Sequence, residues 1–181
     1  ILVTKQPNKM KILKTLLIII AAIIVLALVI ALFIPKDMKA EREIVINKPK
    51  QQVFDYVKLL ANQNNYSKWA TMDPNMKKEF KGTDGTVGFV SAWESANGEV
   101  GKGEQTITKI VESERMESDL HFIKPFESKA TCFMSTEAVG DNQTKVKWGF
   151  EGRMNYPLNI MRLFMNPEKS VGDDFASGLS R

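Results

Sequence analysis

The sequence holds one cysteine and one histidine, and those scarcities remove whole classes of chemistry. Cys132 alone cannot close an intrachain disulfide or supply a CxxC pair. With His121 as the sole histidine there is no HExxH motif and no multi-histidine metal site. The glycines of Gly98-Glu99-Val100-Gly101-Lys102-Gly103 fit neither G-x-x-x-x-G-K-[ST] nor G-x-G-x-x-G, and read as a hairpin turn and a strand start. No acidic residue precedes Asp37, and no charge of either sign occurs from Leu16 to Ile34.

That charge-free run is the most informative stretch present. Its nineteen residues span about 28 Å as a helix, close to a hydrocarbon core of about 30 Å. Lys5, Lys9, Lys11 and Lys14 precede it. The chain therefore reads as a basic tail over 1–11, a transmembrane signal anchor over 12–35 and one domain over 36–181. The run exceeds the h-region of a cleaved signal, and Ala31-Leu32-Phe33 is not a small-x-small cleavage site. A buried core helix would show a polar face, which this segment lacks. The basic tail places the amino terminus inside and the domain on the outer, periplasmic or extracellular face; Met10 is an alternative start. Setting those four lysines apart from the 25 basic residues leaves the domain's charge balanced against 21 acids. The basic character is thus a topology signal and not a nucleic-acid footprint.

Pro35 stops the apolar helix. Lys39 to Ile46 reads as a strand. Asn47 suits a helix N-cap with Pro49 in the first turn, and Val53, Phe54, Tyr56, Val57 and Leu60 make one helix face. A shorter helix is expected over Asn62 to Trp69, and Asp73-Pro74 breaks the chain. Six strands follow near Lys77–Lys81, Thr86–Trp93, Gly101–Val111, Arg115–Ile123, Lys129–Ala138 and Lys145–Glu151. Thr83-Asp84-Gly85, Ala96-Asn97-Gly98, Lys124-Pro125 and Gly140-Asp141-Asn142 separate them. Short links imply an antiparallel meander. Val146, Trp148 and Phe150 alternate with Lys145, Lys147 and Gly149. Met116, Leu120 and Phe122 alternate with Arg115, Glu117, Asp119 and His121. A sheet with one apolar face needs a cover, and the segment from Pro157 onward supplies it. There Val171, Phe175 and Leu179 recur every four residues, and Asp173-Asp174 opens the helix, where acids complement its dipole.

The order of several short motifs carries a resemblance. Ile44-Val45-Ile46-Asn47-Lys48-Pro49 leads to Val53-Phe54-Asp55-Tyr56-Val57, then to Tyr66-Ser67-Lys68-Trp69. Gly82-Thr83-Asp84-Gly85-Thr86-Val87-Gly88, Val100-Gly101-Lys102-Gly103-Glu104 and Gly172-Asp173-Asp174-Phe175-Ala176-Ser177-Gly178-Leu179 follow. Together these resemble the START-like or SRPBCC superfamily, and most closely its polyketide cyclase/dehydrase-type branch with an N-terminal membrane helix. The resemblance covers about residues 39–181. It implies an α+β helix-grip (START/Bet v1-like) fold, in which a curved antiparallel sheet wraps a long C-terminal helix around an apolar cavity. In the family that helix usually runs some turns past the position of Arg181.

The function implied is binding of a hydrophobic small molecule or lipid by a membrane-anchored domain, with no cofactor, no metal and no nucleic acid. Trp69, Phe89, Trp93, Phe133, Trp148, Phe150, Phe164 and Phe175 are the expected lining. Tyr156-Pro157 and Met161–Met165 are expected at the cavity mouth. A polyketide cyclase- or hydrolase-like enzyme is the alternative, resting on Glu104, His121 and Tyr156, although strand alternation sends His121 to the polar face. An envelope interaction or stress module without a ligand is the third reading. Cys132 reads as a small strand or core residue with no activating base nearby.

Overall fold

The computed structural model describes residues 9–181; the first residues of the basic tail, with Lys5, lie outside the described residues. The chain forms two compact units. Among the described residues, one comprises 9–36 together with Asn155–Met165, the other Asp37–Met154 with Asn166–Arg181.

In the first unit, α1 (Lys9–Phe33) is one helix, long and apolar enough to cross a membrane. It starts earlier than the expected span because Lys9 to Lys14 continue the same helical turns. Its large side chains are exposed all round. Asn155–Met165 folds against it through a 3₁₀ helix, Leu158–Leu163. Asn159 is wholly buried: its Nδ2 donates to Ala31 O at 2.7 Å and to Ile34 O at 2.9 Å, while its Oδ1 is buried without a partner among the described residues. A distant side chain thus satisfies carbonyls that the end of a helix leaves unpaired. Tyr156-Pro157 and Met161–Met165, expected at the cavity mouth, fall in the unit that contains α1.

The second unit runs β1 (Asp37–Ile46), α2 (Lys50–Val57), a 3₁₀ turn at Leu60–Asn62, α3 (Gln63–Tyr66) and α4 (Lys68–Met72). Then come β2 (Lys77–Lys81), β3 (Val90–Glu94), β4 (Lys102–Val111), β5 (Arg115–Lys124), β6 (Ser128–Gly140), β7 (Gln143–Arg153) and α5 (Pro167–Leu179). The sheet order is β1-β7-β6-β5-β4-β3-β2, antiparallel throughout. The expected meander forms, and β1 returns to pair with its last strand.

Local chemistry moves several expected boundaries. Pro49, not Asn47, holds the N-cap position of α2; Asn47 Oδ1 accepts from Gln143 Nε2 at 3.0 Å and ties β1 to the start of β7. The expected helix Asn62 to Trp69 breaks at Ser67, whose backbone is extended. Thr86–Gly88 turns before β3 begins. The C-terminal helix starts at Pro167 with Asn166 accepting from Lys169 N at 2.9 Å, so Asp173 and Asp174 sit mid-helix. There they pair with Lys169 and Lys68 and do not serve the helix dipole. Asp84 makes the main non-local turn contact: its carboxylate accepts from the backbone N–H groups of Leu60 and Ala61 at 2.9 Å and Gly85 at 2.8 Å.

One core lies between sheet and helices. Val53, Val57, Leu60, Tyr66, Phe89, Ile107, Met116, Met134, Val146, Trp148 and Phe175 form it. α5 buries Gly172, Phe175 and Gly178, while Val171 and Leu179 flank them half-buried. Glycine matters most at Gly178, where a Cβ would crowd Trp148 and the Tyr66 carbonyl; at Gly172 a Cβ would meet only the guanidinium end of the Arg42 side chain, which can swing aside. On the other side of the sheet, Gly149 leaves room for the Phe133 ring.

Removing the Asp84 carboxylate orphans three backbone donors, and Asp84→Ala should cost about 1–3 kcal/mol in chemical denaturation. Gly149→Ala forces Phe133 from its seat and should cost about 1–3 kcal/mol. Gly140→Ala, where the new methyl meets only the Gln143 side chain at ordinary distance, should stay within about 0.5 kcal/mol of the parent.

Candidate functional site

Side chains alternate across a sheet, so lateral pairing sorts them into rows on each face. Trp148 marks the inner face, because its indole stacks on Phe175 of α5 with ring centroids 4.3 Å apart and planes 12° apart. Tyr66 meets Trp148 edge-on at 5.5 Å and Trp69 meets Phe175 edge-on at 6.1 Å. Phe89 stacks on Phe80 at 5.9 Å. Trp69, Trp148 and Phe175 therefore pack against one another on the inner face beneath the helices, and Phe89 belongs to the same buried core. The Tyr66 hydroxyl is buried in this core without a hydrogen-bond partner among the described residues, and desolvation there holds its phenol well above the ordinary value.

Beyond that packed core, three further rows cross the inner face. Ala40, Phe150, Cys132, Ser118 and Ile107 make the first. Met38, Gly152, Ala130, Leu120, Gln105 and Ser91 make the second, and Phe122, Gly103 and Trp93 the third. Met38, Trp93, Leu120, Phe122 and Phe150 are half-buried. Trp93 sits edge-on to Phe122 at 6.1 Å, with its Nε1 donating to Val100 O at 3.3 Å. Gly103 admits the Trp93 ring, which any Cβ at that position would strike. Two buried polar side chains lie among them: Gln105 Nε2 donates to Ser118 Oγ at 2.8 Å. Cys132 is buried beside Ser118, and desolvation raises its thiol well above the ordinary value.

Two of the expected lining residues lie elsewhere. Phe133 pairs with Glu117 and Gly149 and so projects from the outer face, where the Arg115 guanidinium covers its ring at 3.6 Å. Cys132, Phe133 and Met134 are all buried, so alternation of polarity does not reveal this. Phe164 lies in the unit with α1 and is 87% exposed. Conversely, Gln105, Ser118 and Leu120 join the site although the sequence did not single them out for it, and Phe122, one of the aromatics weighed as lining, lies beside them. The available signal was Ser118, a polar residue in the apolar register of Met116, Leu120 and Phe122.

The outer face carries an open groove of ≈ 890 Å³, lined by Lys39, Glu104, Thr106, Asp119, His121 and Glu151 among others. His121 lies between two carboxylates there, Nε2 at 3.1 Å from Glu127 and Nδ1 at 3.7 Å from Glu104. Glu104 and His121 are thus brought together on the polar face as alternation required, whereas Tyr156 belongs to the other unit. Among the described residues no group of His, Cys, Asp and Glu side chains gathers to hold a metal ion.

Burial yields a direct check on the site's thiol. Cys132 should resist a thiol-reactive disulfide reagent at neutral pH in the folded protein and react stoichiometrically once denatured; rapid native labelling would contradict its placement.

No protein-family model and no curated protein matches the sequence. Solved structures do share the fold. Norcoclaurine synthase from Thalictrum flavum, solved in complex with dopamine and hydroxybenzaldehyde, superposes with a TM-score of 0.59 at 11% identity over 81% of this chain and 86% of its own. Major latex-like protein 151 from Panax ginseng gives 0.58 at 16% identity over 80% and 94%. The Mll3558 protein from Rhizobium loti gives 0.55 at 16% identity over 80% and 96%. With seven antiparallel strands packed on a C-terminal helix, the chain has the helix-grip fold of START-like, Bet v1-like proteins.

Proposed function

We propose that this protein is a membrane-anchored binding protein for a hydrophobic small molecule, held on the inner face of the sheet. The observation that carries the reading is the half-buried set of Trp93, Leu120, Phe122 and Phe150 around the hydrogen-bonded pair Gln105–Ser118. Binding sites are mostly apolar surfaces with a few polar groups that fix orientation, and this surface has that composition. The four apolar side chains supply burial. The pair supplies a hydroxyl and an amide for one polar substituent, and both are already desolvated. Norcoclaurine synthase holds dopamine and hydroxybenzaldehyde on the same fold. That supports an aromatic or comparably flat apolar ligand bearing one polar group.

α1 acts in this reading as the anchor, keeping the binding domain at a high effective concentration beside the bilayer from which an apolar ligand partitions. The lysines at its start face the inside, and the domain stands on the outer face. A reporter fused after Arg181 should be active only when the reporter functions outside the membrane.

Native mass spectrometry of the full chain in lipid nanodiscs, with organic extraction, should find a stoichiometric apolar molecule other than the bulk lipid. Leu120→Lys places a charge at the centre of the site and should weaken its retention by tenfold or more, about 1.4 kcal/mol, with unchanged circular dichroism. A folded Leu120→Lys protein that retains the molecule at parental level would overturn the site. A parental protein that is empty and binds no aromatic fluorescent probe would overturn the function.

A further inference from the structure

The segment Asn155–Met165 exposes nearly every large apolar side chain it has. Tyr156 is 40% exposed, Leu158 46%, Met161 45%, Leu163 57%, Phe164 87% and Met165 46%. An aqueous loop of this composition would leave a costly contiguous patch. The segment is not placed at random, however: it is fastened to the carbonyl end of α1 within one compact unit.

We propose that Asn155–Met165 is a membrane foot, lying in the interface between hydrocarbon and headgroups of the leaflet at the C-terminal end of α1. The inference rests on α1 spanning the bilayer. If Leu16 to Ile34 fills the hydrocarbon core, Ala31 and Ile34 sit where that core gives way to headgroups. Asn159 bonds both of their carbonyls and so holds the segment at that depth. Water is scarce there, and unpaired helix-end carbonyls are costly; the Asn159 amide removes that cost for two of them.

The segment's own backbone is arranged for the same medium. Ile160 N donates to Pro157 O at 3.2 Å, Phe164 N to Met161 O at 2.9 Å, Met165 N to Met161 O at 3.0 Å and Asn159 N to Asn155 O at 3.2 Å. Internal pairing leaves apolar side chains, not peptide groups, to meet the lipid. Tyrosine favours the interfacial zone, and Tyr156 carries the Lys36 ammonium 6.0 Å from its ring centroid. Lys36 and Arg162 extend long apolar stems that let a cation reach the headgroups while the neighbouring side chains sink. Segments of this kind bury their apolar side chains about 5–10 Å into the boundary of the acyl chains.

Single cysteines at Phe164, Leu158 and Leu26 in the full chain, each carrying an environment-sensitive fluorophore, test this in phosphatidylcholine vesicles. Nitroxide lipids labelled near the glycerol or near the terminal methyl report depth, with the unmodified chain controlling for Cys132. Phe164 and Leu158 labels should be quenched mainly by the shallow nitroxide and Leu26 by the deep one. Asn159→Ala should abolish the shallow quenching of Phe164 and leave Leu26 unchanged; retention would overturn the role given to Asn159. Quenching at Leu26 with water-exposed labels at Phe164 and Leu158 overturns the foot and leaves the span standing. Absence of quenching at Leu26 overturns the span and the foot with it. Labels at Phe164 and Leu158 shielded from both lipid nitroxides and an aqueous quencher would place the segment in a protein contact and overturn the proposal.

Discussion

The second unit depends on the contact between Trp148 and Phe175. A seven-stranded sheet with one apolar face must have that face covered; α5 covers the end at β1 and β7, and α2 packs on β6 and β7 beside it. The two rings lie nearly parallel at 4.3 Å, which draws the helix onto β7 and β1. That proximity explains why Gly172 and Gly178 flank Phe175 on the buried face of α5, while Val171 and Leu179 stay half-buried. Tyr66 and Trp69 then close around the stack from the short helices. Side chains committed to this seal are unavailable to a ligand, so the contact also divides the inner face into a packed half and a half-open one.

The half-open part owes its chemistry to register. Ser118 and Gln105 are polar residues in apolar rows, and buried polar groups persist in native structures when they are hydrogen-bonded. Here each satisfies the other. A bonded pair among aromatic and aliphatic side chains is the polar element of the proposed site. The titratable residues lie mainly on the other face, where His121 bridges Glu104 and Glu127 over an open, solvated groove.

Much of this was legible in the chain. The charge-free run, the seven strands, the inner assignment of Val146, Trp148 and Phe150 and the outer assignment of His121 all follow from period and composition within one element. The errors have common causes. Phe133 sits in an uninterrupted buried triplet, so no polar neighbour reports its facing; only pairing with Glu117 and Gly149 does. Asn47 has good capping chemistry, but a partner almost a hundred residues away claims its side chain. Leu158 to Met165 is fastened through Asn159, whose acceptors lie more than a hundred residues earlier in the chain, so no local pattern shows where the segment packs.

The sequence by itself determined which residues alternate, where the chain turns and which stretch is long, apolar and uncharged, because those properties depend on neighbours a few residues apart. Tertiary structure alone decided which aromatics fill the core and which remain half-open, why α5 needs glycine, and that Asn159 closes the end of α1. Those outcomes depend on distances between elements far apart in the chain, set by strand register and backbone approach, which no local pattern encodes.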